Sequence, residues 1–141
     1  MARLFCVDGT NLVRAAYGYG GEAHRAQEQH DGEVLVDAFA GLCERVGAGV
    51  EVEVFFDGAF RAMPGGPANL DVTFSREASA DELILDRIRA KVWAGSGSVT
   101  VVTADTELGR TAQAEGAKWL RAPHGASPLG LVRKIEERFT R

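Results

Sequence analysis

Two cysteines, three histidines and no long apolar run set the outer limits of this 141-residue sequence. Cys6 lies in an apolar strand pattern and Cys43 on an apolar helix face, so both are expected to be buried, inert thiols. No cysteine–histidine spacing suits zinc. His24, His30 and His124 all fall in predicted loops away from any strand-end motif, which leaves no obvious histidine base. A membrane-spanning helix needs about 20 consecutive apolar residues, and no stretch here comes near that. The opening Leu4-Phe5-Cys6-Val7 is also too short for a signal peptide, so a cytoplasmic protein is expected. Lysine is confined to Lys91, Lys118 and Lys134, and 16 basic residues face 20 acidic ones for a net charge of −4. That balance excludes the strongly basic footprint of a nonspecific nucleic-acid binder.

What remains is an ordinary soluble composition, 45% hydrophobic and 26% charged, sized for one domain over residues 1–141 with a proper core. Short Val- and Phe-rich runs predict buried strands at 3–7, 50–56 and 99–103, with alternating strands at 70–74 and 117–121. Helical periodicity covers 33–47. A second helix over 80–94 sets Ile84, Ile88 and Val92 four apart, behind a Ser79-Ala80-Asp81-Glu82 capping box. A short helix at 107–114 and a last one from Ser127-Pro128 through Phe139 complete the order β-α-α-β-β-α-β-α-β-α. Residues 17–32, 61–69 and 122–127 read as loops, and Trp93 and Trp119 as core. Strands separated by helices imply an α/β fold with a mostly parallel sheet of about five strands.

Aspartates punctuate this pattern. Asp8 ends the first strand and opens Asp8-Gly9-Thr10-Asn11, Asp57 follows the second strong strand, and Asp105 the third. In a parallel sheet the carboxyl ends share one edge, where ligands bind. Carboxylates gathered there repel one another unless protons or a divalent cation hold them, and hard cations prefer such oxygens. Setting aside Asp8, Asp57, Asp81 and Asp105 leaves 16 charges of each sign, so the acidic excess fits in one place. Each aspartate alone also has a local explanation. Asp8 belongs to a turn, Asp57-Gly58 forms one, Asp105 caps a helix, Asp81 meets a helix dipole, and the capping box accounts for Glu82.

The motifs Asp8-Gly9-Thr10-Asn11-Leu12, Val54-Phe55-Phe56-Asp57-Gly58, Ala80-Asp81 and Val101-Val102-Thr103-Ala104-Asp105, in this order, resemble the NYN domains, closest to the YacP-like group of the PIN-like nuclease superfamily. The likeness runs over roughly residues 3–139. It implies a three-layer α/β/α PIN-like domain and a metal-dependent endoribonuclease that hydrolyses phosphodiesters in single-stranded RNA with Mg²⁺ or Mn²⁺. Carried over motif by motif, Asp8, Asp81 and Asp105 become metal ligands, and Asp57 a ligand or a support behind them. Asn11 becomes the residue that orients a carboxylate or a metal-bound water. The adjacent Asp81 and Glu82 leave open which acid faces the site.

Such a metal site activates water and clamps phosphate oxygens without a histidine base. RNA also needs phosphate contacts and stacking surfaces. Arg14, Arg61, Arg76 and Arg110 are the candidates for phosphate, with Arg25 nearby, and Tyr17 and Tyr19 for stacking. Two alternatives remain. One is a catalytically weak PIN-like module that binds RNA or a protein. The other is a haloacid-dehalogenase-type phosphohydrolase with Asp8 as nucleophile, for which no lysine is well placed. A monomer or a homodimer fits the apolar last helix.

Overall fold

The computed structural model describes residues 2–17, 25–123 and 127–137. Its strands are β1 (Arg3–Asp8), β2 (Val50–Phe56), β3 (Leu70–Phe74), β4 (Val99–Thr103) and β5 (Lys118–Arg121). They form one sheet in the order β3-β2-β1-β4-β5, every pair parallel. The helices are α1 (Gly9–Tyr17), α2 (Arg25–Val46), α3 (Ala80–Ala94), α4 (Thr106–Ala114) and α5 (Pro128–Glu137).

Strand alternation assigns the layers. Phe5 and Val7 of β1 join the core beneath α1, α2 and α5, whereas Leu4 and Cys6 join the one beneath α3 and α4. The two helical layers on a central parallel sheet match the expected α/β/α architecture. Cys6 and Cys43 are buried on opposite sides of the sheet, and burial pushes their thiols up to about 12 and about 11. Both are inert, as the sequence suggests.

The expected strands all form, but three other expectations change. Helix α2 begins at Arg25, not at residue 33. Its first turns are polar, and i,i+4 bonds from Gln27 to Asp31 (3.1 Å) and from Gln29 to Glu33 (3.2 Å) support them where apolar periodicity is absent. His30 therefore sits exposed on a helix rather than in a loop. Tyr17 closes the α1 backbone, and Tyr19, His24, His124 and Phe139 lie outside the described residues.

Trp93 is 91% exposed, not core. Helix α3 buries Ala80, Ile84 and Ile88, and five residues beyond Ile88 places Trp93 about 140° around the axis. Four-residue spacing also drifts by about 40° each step, and Val92 emerges 42% exposed. Trp119 does pack inward, its indole lying so close to α4 that a Cβ at Gly109 would overlap it.

The topology fixes the functional edge. The chain goes from β1 to β2 and β3 on one side, then returns to place β4 and β5 on the other side of β1. The carboxyl ends of β1 and β4 therefore flank the point where strand order reverses, the usual ligand crevice of such sheets.

Candidate active site

Asp8, the last residue of β1, is only 3% exposed at that crevice. Its Oδ2 accepts a hydrogen bond from the Thr103 hydroxyl at 3.1 Å, and its Oδ1 a long one from the Asn11 amide at 3.5 Å. These bonds favour the carboxylate, yet burial, followed by the charges of Asp81 and Asp57, pushes the carboxyl up to about 7. The close approach of the chain explains Gly9. A Cβ there would meet the Phe56 ring at 2.6 Å and the Phe55 carbonyl at 2.9 Å, so room, more than turn geometry, demands glycine.

Thr103 and Asn11 join the two strand ends. Asn11 Oδ1 accepts from the Ala104 amide at 2.9 Å and lies 3.1 Å from the Thr103 hydroxyl, while Thr103 Oγ1 accepts from the Asp105 amide at 3.1 Å. The side chain of Asn11 thus holds the turn that carries Asp105.

Thr10 does the same for β2, its hydroxyl accepting from the Asp57 amide at 2.8 Å. Asp57 Oδ1 accepts from the Ala80 amide at 2.8 Å, anchoring the start of α3 and with it Asp81. Burial, then Asp105, Asp57 and Glu107, raise the Asp81 carboxyl above its usual range. Of the adjacent acids, Asp81 therefore shares the field of the other aspartates, while the backbone of Glu82 is bound by the Ser79 cap at 3.2 Å. Asp105 is the N-cap of α4, its Oδ1 accepting from Glu107 (2.9 Å) and Leu108 (3.3 Å). Structural duties and the acidic edge coincide: among the described residues, Oδ2 of Asp57 and Oδ2 of Asp105 take no hydrogen bond.

Among the described residues, no three His, Cys, Asp or Glu side chains stand as a group that would hold one ion. The donors nevertheless fit a hard cation by chemistry. They are carboxylate oxygens, and burial, followed by neighbouring carboxylates, raises Asp8 and Asp81, a cost that a bound cation would offset.

The arginines diverge. Arg61 is held against the site, its Nη1 donating to the carbonyls of Asp57 and Ala59 (both 3.1 Å) and its guanidinium lying 4.8 Å from the Phe74 ring centre. Arg14 is exposed and pairs with Glu28 at 3.0 Å. Arg76, at the turn after β3 with φ of 58°, donates its amide to Gly58 (2.8 Å), and Arg110 is exposed on α4. Thr103, Glu107, Phe60 and Arg121 also stand at or beside this edge, and no functional pattern in the sequence marks them. Arg121 ends β5 at the same edge, donating to Thr106 Oγ1 at 2.5 Å and lying over Trp119. Its place inside a predicted strand hid it, though a cation at a strand end was a usable signal.

A parallel sheet of this order, with helices on both faces and aspartates gathered at its switch point, defines a PIN-like α/β domain. The chain belongs to the YacP-like NYN domain family, whose model matches residues 5–136. Two crystal structures of Rae1 (YacP) from Bacillus subtilis share the fold. The W164L mutant is 24% identical with a TM-score of 0.68, covering 100% of this chain and 80% of that one. The other is 23% identical with a TM-score of 0.62, covering 98% and 78%. No curated protein matches the sequence.

Proposed function

We propose that the protein is an endoribonuclease that hydrolyses phosphodiesters in single-stranded RNA with Mg²⁺ or Mn²⁺ at the Asp8 edge. The observation that carries this reading is the buried Asp8 carboxyl, pushed to about 7 beside Asp81 and Asp57 in a family of the PIN-like nuclease superfamily. A carboxylate buried beside two others costs stability unless a cation or proton joins it.

Asp8, Asp81 and Asp105 would hold the ion, with Asp57 as ligand or support. When bound, the cation lowers the pKa of water and offsets charge on the phosphate. The chain itself sets the geometry. Thr103 orients the Asp8 carboxylate, Asn11 holds the Ala104–Asp105 turn, and Asp57 fixes the helix start that carries Asp81. Arg14, Arg61, Arg76 and Arg110 supply phosphate contacts around this edge. Incubating a defined single-stranded RNA with Mn²⁺ or Mg²⁺ should give cleavage that chelator stops and Asp8→Asn or Asp105→Asn abolishes while both variants stay folded. Cleavage that survives in Asp8→Asn, or in excess chelator, refutes the proposal.

The lack of an assembled three-acid group among the described residues favours a second reading, a PIN-like module that binds RNA without cutting it. Undiminished RNA binding with no cleavage under any divalent ion would select it.

A further inference from the structure

Beside Asp57, on the α1–α2 side of the sheet, lies a pocket of about 420 Å³, a volume within the range of small-ligand sites. Its apolar wall is built from Val13, Phe56 and Met63. Arg14, Arg25 and Arg61 face Glu28 and Asp57 across the lining, an excess of one positive charge, with Arg14 paired to Glu28 at 3.0 Å until a phosphate competes for it. Thr10 and Asp57 belong both to this pocket and to the acidic edge, so the two sites share a wall.

The connection from β2 to β3 shapes the pocket. It runs across α2, where Gln29 Nε2 donates to the Ala62 carbonyl at 3.1 Å and Met63 approaches Gly32. Arg61 is held on this connection by two carbonyls and by the Phe74 ring, which fixes its plane before any ligand arrives. Nη2 of Arg61 has no partner among the described residues. Next to it Phe60, 67% exposed, stands edge-on against Phe74 with ring centres 5.5 Å apart. An exposed phenylalanine beside a guanidinium is a surface on which a base stacks.

We propose that this pocket is a nucleotide subsite, seating the base and sugar of one RNA residue next to the bond that is cut. The base lies against Val13, Phe56 and Met63, its phosphate on Arg14 and Arg61, and the next base along the strand stacks on Phe60. The identity of the ligand rests on the ribonuclease reading; the cavity and its charge do not.

Ala59 is exposed on the pocket wall, so Ala59→Trp fills the space with little risk to folding. The Asp8→Asn protein, expected to leave RNA uncut, serves as background for binding of a labelled octa-adenylate RNA and of adenosine monophosphate. Adding Ala59→Trp, or separately Arg14→Ala, should weaken both ligands about tenfold, the scale of one lost charged or stacking contact. In the otherwise unaltered chain Ala59→Trp should raise KM for RNA more than it lowers kcat. Affinities unchanged in both variants, with melting temperatures also unchanged, overturn the subsite even if the protein cleaves RNA. If Ala59→Trp fails to fold, Arg14→Ala decides alone. Weakened nucleotide binding in a protein that cleaves nothing would uphold the subsite while the ribonuclease reading falls.

Discussion

At the scale of single residues, Asp8 carries the sharpest consequence. Its carboxyl titrates near 7 in the folded chain against 3.8 as the reference value. The folded state therefore holds the proton more tightly, and stability is lost as pH rises from about 4 to about 7. Without divalent ions, Asp8→Asn should be more stable than the parent at pH 8, by an amount on the order of a few kcal/mol at most. The gain should vanish at pH 4, and denaturant titrations at the two values check it. Magnesium or manganese should stabilise the parent at pH 8 and leave Asp8→Asn unmoved. Thr103→Val keeps the shape of a fully buried side chain but removes the donor to Asp8 and the acceptor of the Asp105 amide. It should cost about 1–3 kcal/mol, read as a lower melting temperature. Asp8, Asp57 and Asp105 were legible because each ends an apolar run, and Asp81 through its place at a helix start. Thr103 was not, since its importance comes from a side chain 95 residues away.

At the scale of elements, two helix starts depend on site aspartates. Asp105→Ala removes the α4 cap and should cost about 1 kcal/mol. Asp57→Ala frees the Ala80 amide, and hydrogen exchange at Ala80 should speed up while exchange at Ile88 stays slow. If Ala80 exchanges as before, the Asp57 contact does not hold the helix start in solution. Gly109→Ala should destabilise despite the better helix propensity of alanine, because the Trp119 ring leaves no room. The strands were legible through their β-branched, alternating residues. The first turns of α2 were not, because glutamine and glutamate pairs rather than an apolar stripe sustain them. Trp93 was misplaced because sequence gives an aromatic no direction; only its angle from Ile88 does.

At the scale of the whole molecule, strand order explains why residues far apart in sequence meet. Asp8 and Asp105 reach the same sheet edge because β1 and β4 are neighbours at the reversal, which the helix–strand alternation suggests without fixing the order. Apart from Asp8, Asp57, Asp81 and Asp105 the charges balance, 16 of each sign, so RNA affinity has to come from a few local arginines. Four phosphate contacts would give a slope of about −3 in log affinity against log salt. A much steeper slope, measured on the Asp8→Asn protein, would mean a broader contact surface than these arginines offer.

The two tryptophans offer a built-in optical gauge. Trp93 stands almost wholly in water, whereas the Trp119 indole donates to the Thr103 carbonyl at 3.2 Å beneath Arg121. Trp93→Phe would leave one emitter, hydrogen-bonded to the very strand end that supports Asp8. Its fluorescence would report events at the acidic edge from inside the protein, with no label attached.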